Sequence, residues 1–261
     1  MASASSSTSG TPPLGKYLSS TDKKTRDKAI KNLAIFLSDS SRPPLRKNDM
    51  DTLWKGIFYC FWMSDKPLVQ QALASELAEL LLTIDSTSSS LAFLQGFWDT
   101  TIREWNGIDR LRIDKYYMLI RRFINASFRL LMRSDWDSES CQEYNKILTA
   151  TGGPLCPNDN RVPLSLAYHL ADIYLEELDK AFVTQSKNDE LENAALPTPL
   201  STILSPFFYL AARTSSNHAY ERVQSAVLEP LFQTLASSHS DEPPSAKTSS
   251  VVGGGLCIPS G

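Results

Sequence analysis

Apolar side chains return every three or four positions along nearly the whole chain, and strict alternation never lasts beyond a few residues. That period gathers the apolar groups of a segment on one side of a helix, so the sequence predicts an all-α fold. A helix over 23–38, capped by Thr21 or Asp22, turns Ile30, Leu33, Ile35, Phe36 and Leu37 inward until Arg42-Pro43-Pro44 halts it. Asn48 or Asp49 is placed to cap a second helix with Met50, Leu53, Trp54, Ile57, Phe58, Phe61 and Trp62, ending at Ser64-Asp65. Asp65 then caps a third, which tolerates Pro67 in its first turn and carries an apolar stripe from Leu68 to Ile84.

A serine-rich turn at 86–90 leads into a fourth helix with Leu91, Leu94, Trp98, Ile102 and Trp105 on one side. Gly107 marks a break, and the longest helix follows over 109–133, with Ile113, Tyr116, Ile120, Phe123, Ser127 and Leu130 inward. Ser138 is expected to cap a sixth through Leu148. Pro163 opens a seventh bearing Leu166, Leu170, Ile173, Tyr174 and Leu178, and after a polar stretch at 184–194 two more run near 199–214 and 216–235. Helices of such lengths joined by short turns describe a HEAT-like α-solenoid of antiparallel pairs over 16–236. No fixed-period repeat stands out, so this reading rests on helix length and order.

Composition alters the picture at the ends. Residues 1–15 and 237–261 are dominated by Ser, Thr, Pro and Gly and are expected to be disordered unless a partner holds them. A net charge of −3 over 261 residues argues against a surface that is cationic as a whole, so any nucleic-acid contact must be local. Cys60, Cys141, Cys156 and Cys257 have no CxxC spacing, which points to a reducing compartment without a disulfide framework or zinc site. No apolar run approaches the roughly 20 residues of a membrane helix, and no secretory leader is evident, so a soluble intracellular protein is expected.

The candidate chemistry is that of recognition. His169, His218 and His239 have no carboxylate, serine or cysteine at a recognisable catalytic spacing, and triads, metal motifs and phosphate loops are absent, so no enzyme, cofactor or small-molecule substrate is expected. A nuclease would require a paired-carboxylate metal site, and Asp109 and Asp114 read instead as helix-surface partners of Arg112 and Arg110. Between Arg103 and Arg133 eight Lys/Arg stand against three Asp/Glu. Lys115, Arg122, Arg129 and Arg133 project within about 40° of one another on a helix, and with Arg110 and Arg112 they form a candidate RNA-binding stripe, or else a solvated face. The tryptophans and phenylalanines at helical spacing suit a core, but the second helix carries rings on nearly every side. Tyr59, Trp62 and Lys66 are therefore candidate partner contacts, with Trp98 and Trp105 as further ones.

Three segments carry a resemblance. They are Leu53-Trp54-Lys55-Gly56-Ile57-Phe58-Tyr59-Cys60-Phe61-Trp62-Met63 with Asp65-Lys66-Pro67-Leu68; Phe93-Leu94-Gln95-Gly96-Phe97-Trp98; and Arg103-Glu104-Trp105 with Gly107-Ile108-Asp109-Arg110-Leu111-Arg112 and Asp114-Lys115-Tyr116-Tyr117-Met118-Leu119. In these the chain resembles the ribosomal RNA-processing protein 1 family, clearly over about 20–135 and more weakly through Tyr174–Leu178 and Pro206-Phe207 with Ala211–Thr214. The resemblance implies a non-enzymatic helical scaffold of the nucleus and nucleolus. Such a scaffold docks other assembly factors and ribosomal proteins on the pre-60S particle during pre-rRNA processing. Direct binding of pre-rRNA through the basic helix stays open beside it. The family often continues into a long basic C-terminal tail, and this sequence ends instead in a neutral Ser/Pro/Gly segment.

Overall fold

A computed structural model of the protein describes residues 14–186 and 198–240; the expected terminal tails, apart from Leu14, Gly15 and 237–240, and most of the polar 184–194 stretch lie outside these residues. The described residues form helices without strands. In chain order they are α1 Leu14–Leu18, α2 Lys23–Leu37, α3 Lys47–Trp62, α4 Pro67–Thr83 and α5 Thr87–Glu104, which runs into a 3-10 turn at Trp105–Gly107. Then come α6 Ile113–Arg133, α7 Ser138–Thr149, α8 Leu164–Ser186, α9 Leu200–Arg213 and α10 Asn217–Val223, which continues through a π turn, Gln224–Leu228, into α11 Glu229–Ser240. None of these helices is long and apolar enough to cross a membrane.

The helices alternate between two layers. The even-numbered α2, α4, α6, α8 and α10 pack side by side in one, and α3, α5, α7 and α9 in the other, while α1 closes the N-terminal edge against α2 and α3. This is the solenoid-like, all-α arrangement that the periodicity predicts. Between the layers lies a continuous core. In its N-terminal half Phe97 and Phe123 stack at 3.9 Å, and Trp54 lies against Phe93 at 4.5 Å. Towards the C-terminus Tyr174 meets Phe128 and Phe207 edge-on at 4.9 and 4.7 Å. Each such ring contributes on the order of 1.5–3 kcal/mol through burial alone.

Three details show how the sequence enforces this packing. A Cβ at Gly96 would sit 2.4 Å from the Trp54 ring, so only glycine lets α5 approach α3 closely enough for the Trp54 indole N–H to donate to Phe93 O at 3.0 Å. Pro206 inside α9 removes the amide that would bond the Thr202 carbonyl, and Asn145 Nδ2 of α7 donates to that carbonyl at 2.7 Å. Pro230 follows the π turn of the last helix, where the widened backbone accommodates a ring that would otherwise press on the carbonyl four residues back.

Asp22 caps α2 and Ser86 caps α5 through their side chains. Other helix starts differ from expectation. Arg46 and Lys66 occupy the capping positions of α3 and α4 without side-chain bonds, which leaves Asn48, Asp49 and Asp65 out of that role, and Asp137 rather than Ser138 caps α7. α1, the first described helix, has Leu14 and Leu18 buried against α2 and α3 at a close Gly15–Gly56 approach.

Candidate functional site

The conspicuous surface lies at the end of the stack where α3 stops, α4 starts and the 108–112 loop leads into α6. Its foundation is a buried cation. Lys115, only 5% exposed, donates from Nζ to the carbonyls of Phe61 (3.0 Å), Trp62 (2.7 Å) and Ser64 (2.7 Å) where α3 ends, sharing Phe61 O with Ser64 and Ser64 O with Gln70. The positive charge also complements the negative end of the α3 dipole. Burial lowers the Lys115 pKa from 10.5 to about 8, with Arg112 adding to the effect, so the ammonium persists at neutral pH. Beside it the Tyr116 ring stacks on Phe58 at 4.8 Å and its hydroxyl donates to Phe58 O at 3.2 Å.

On this base stands an exposed layer. Trp62 is half-buried, with the Arg112 guanidinium 4.9 Å from its ring, and Arg112 is held in turn by Asp109. Tyr59 is half-buried against Phe58. Leu111, 93% exposed, and Leu68, 79% exposed, flank this end together with exposed Lys66 and Arg110. Apolar side chains left in water around a ring and several cations match the composition of a binding epitope.

Other predicted site residues are placed differently. Trp98 and Trp105 are core: Trp98 is wholly buried against Phe97, and the Trp105 indole N–H donates to Ser165 Oγ at 3.1 Å, so neither offers a surface to a partner. The basic stripe of α6 is largely consumed inside the molecule. Lys115 terminates α3, Arg129 pairs with Glu79 of α4, and Arg133 donates to the Leu82 and Ile84 carbonyls at 2.8 and 2.9 Å, closing α4. Arg121, absent from the predicted stripe, joins α6 to Glu176 and Glu177 of α8. Arg122 is exposed with no ion pair among the described residues, and so is Arg110.

Among the described residues the concave surfaces include open grooves. One of about 790 Å³ runs over α3, α5 and α7 with Met50, Leu91 and Ile147 in its lining. Its Asp99 pairs with Lys47 at 3.7 Å, Asp137 caps α7 and Glu143 pairs with Lys146. His169 is pushed down by burial and bonds the Tyr117 carbonyl, and burial pushes Cys60 up to about 11, far from a reactive thiolate. Among the described residues no three His, Cys, Asp or Glu converge at metal-binding distance.

Against known proteins, residues 9–252 match the family model described as "Nucleolar protein, Nop52". The chain belongs to this family. It is 34% identical over 215 residues to human "Ribosomal RNA processing protein 1 homolog B", covering 81% of this chain and 27% of that protein. With human "Ribosomal RNA processing protein 1 homolog A" the identity is 30% over 223 residues, 84% of this chain and 46% of the relative. The homologue of Caenorhabditis elegans is 28% identical over 218 residues, with coverages of 83% and 51%. The chain thus spans between about a quarter and a half of the length of these relatives.

Proposed function

We propose that this domain is a non-enzymatic scaffold in ribosome biogenesis. It works in the nucleolus during pre-rRNA processing and docks assembly factors and ribosomal proteins on the large-subunit precursor. Relatives named for ribosomal RNA processing and a family described as nucleolar support the setting. The observation that carries the docking role is the exposed end built from Trp62, Leu68 and Leu111 with Tyr59, Lys66, Arg110 and Arg112. Its apolar side chains stay in water although the core beneath is complete. The cation–π pair of Arg112 and Trp62 presents a flat, preorganised surface of the kind that concentrates binding energy.

The test is a Leu68→Asp, Leu111→Asp double variant. Both side chains are solvent-exposed, and an acid in the first turn of α4 is favoured by the helix dipole, so the fold is expected to persist. The variant should leave the 60S-precursor fractions of a density gradient while keeping the thermal midpoint of the parent. Co-sedimentation at the parental level would contradict the docking role of this end. Direct RNA contact through α6 and the loop before it rests on Arg122 and Arg110, since the other members of the stripe have partners inside the fold.

A further inference from the structure

The first long helix carries a basic face that no carboxylate neutralises among the described residues. Between residues 14 and 37 Lys16, Lys23, Lys24, Arg26, Lys28 and Lys31 stand against Asp22 and Asp27, an excess of four positive charges in a chain of net charge −3. Two of the six are engaged. Arg26 is buried and donates to the Ser20 and Thr21 carbonyls at 2.9 Å, and Lys23 pairs with Asp27. Lys24, Lys28 and Lys31 are exposed, with no carboxylate at salt-bridge distance among the described residues.

At 100° per residue these three and Ile35 fall within about 60° of one another. Arg26, Ala29, Ile30 and Leu33, the buried face of α2, centre on the opposite side. The stripe therefore points directly away from the stack, on the outermost helix of the even layer. Lys24 also sits in the first turn of α2, where the helix dipole disfavours a cation. The acids of this helix are used elsewhere: Asp22 caps its start and Asp27 pairs with Lys23, and neither is at salt-bridge distance from Lys24, Lys28 or Lys31.

We propose that the Lys24–Lys28–Lys31 face of α2 is an RNA contact surface that grips the phosphate backbone without reading sequence. The lysines span about 10 Å along the helix, long enough for the row to meet consecutive phosphates of one strand. Lysine suits a row of point charges, and it is depleted from protein–protein interfaces, which draw on apolar and aromatic groups; here only Ile35, at one end, is apolar. An anion docked at this end of α2 also relieves the unfavourable placement of Lys24. The inference rests on the ribosome-biogenesis reading only for the presence of RNA, and it is independent of the Trp62–Leu68–Leu111 end.

The experiment is fluorescence anisotropy of the full chain with a labelled 20-base-pair RNA duplex of arbitrary sequence, titrated at several salt concentrations. The variants are K24E/K28E/K31E and, for comparison, R110E/R122E. The parent is expected to bind with an affinity that falls steeply with salt and is the same for a shuffled duplex. The lysine variant should lose at least tenfold in affinity, with a log–log salt slope shallower by about two to three. Its fold, read by circular dichroism and thermal midpoint, should hold, because exposed positions are changed and Glu near the helix start is favourable. Unchanged RNA affinity and slope in K24E/K28E/K31E would overturn the proposal. So would parental binding of polyglutamate that exceeds binding of RNA and is lost in the same variant, since that assigns the face to an acidic protein.

Discussion

Lys115 shows how a residue's role depends on what another helix brings to it. Its ammonium bonds three carbonyls at the end of α3, so Lys115→Met should leave Trp62 O without its donor, while Phe61 O keeps Ser64 N and Oγ and Ser64 O keeps Gln70 Nε2. The expected cost is about 1–3 kcal/mol in chemical denaturation. Arg122→Ala, on the same helix but in water, should stay within about 0.5 kcal/mol of the parent. Equal effects of the two would contradict this assignment. Projecting the sequence onto a helix put Lys115 with Arg122 and Arg129, because a projection knows the helix's own faces and nothing of the neighbouring carbonyls. One local signal did exist: Lys115 immediately precedes buried Tyr116 and lies four residues before buried Leu119, at the margin of the apolar stripe. Gly96 is a second residue set by its neighbour. Gly96→Ala forces a methyl into the Trp54 ring and should destabilise the protein by about 1–3 kcal/mol, with Trp54 fluorescence altered in the folded state.

At the scale of elements, α7 and α9 are joined where a proline leaves a carbonyl open. Asn145→Leu fills similar volume but removes the donor to Thr202 O, so it should cost about 1–3 kcal/mol and raise amide exchange in α9 above that in α4. A parental exchange pattern would show that the Asn145 bond does not hold the helix. The helices themselves were readable because their stripes are long. The Leu91–Leu94–Trp98–Ile102–Trp105 row and the Leu166–Leu170–Ile173–Tyr174–Leu178 row are both buried. Their starts were less readable, since Asp65 and Asn48 are good capping residues that lie one and two positions from Lys66 and Arg46, which hold the capping positions. α1 escaped notice because five residues are too few for a period, and its burial comes from α2 and α3 rather than from its own sequence pattern. Of the docking end, Tyr59, Trp62, Lys66, Arg110 and Arg112 were visible as an excess of rings and cations. Leu68 and Leu111 were not, because an apolar residue in a sequence reads as core until the fold leaves it outside.

Over the whole molecule, charge is divided between ties among helices and faces left open. The tie of Arg121 and Lys180 with Glu176 joins α6 to α8, and the hydrogen bond from Lys180, followed by that from Arg121, lowers Glu176 from 4.5 to about 2. A depressed carboxylate contributes stability that is complete above the unfolded value near 4.5 and disappears as pH falls towards 2. Glu176→Gln should therefore flatten the stability profile between about pH 4.5 and 2, modestly because the carboxylate is half exposed, and an unaltered acid limb would contradict the tie. The end formed by α3, α4 and the 108–112 loop spends its charge differently, on an outward surface carrying one exposed lysine at the start of α4. The most direct measurement is lysine crosslinking with mass spectrometry on purified large-subunit precursor particles. The account predicts crosslinks from Lys66 to an assembly factor or a ribosomal protein. Protein crosslinks confined to Lys146 and Lys180, with Lys66 unreacted towards any partner, would contradict it.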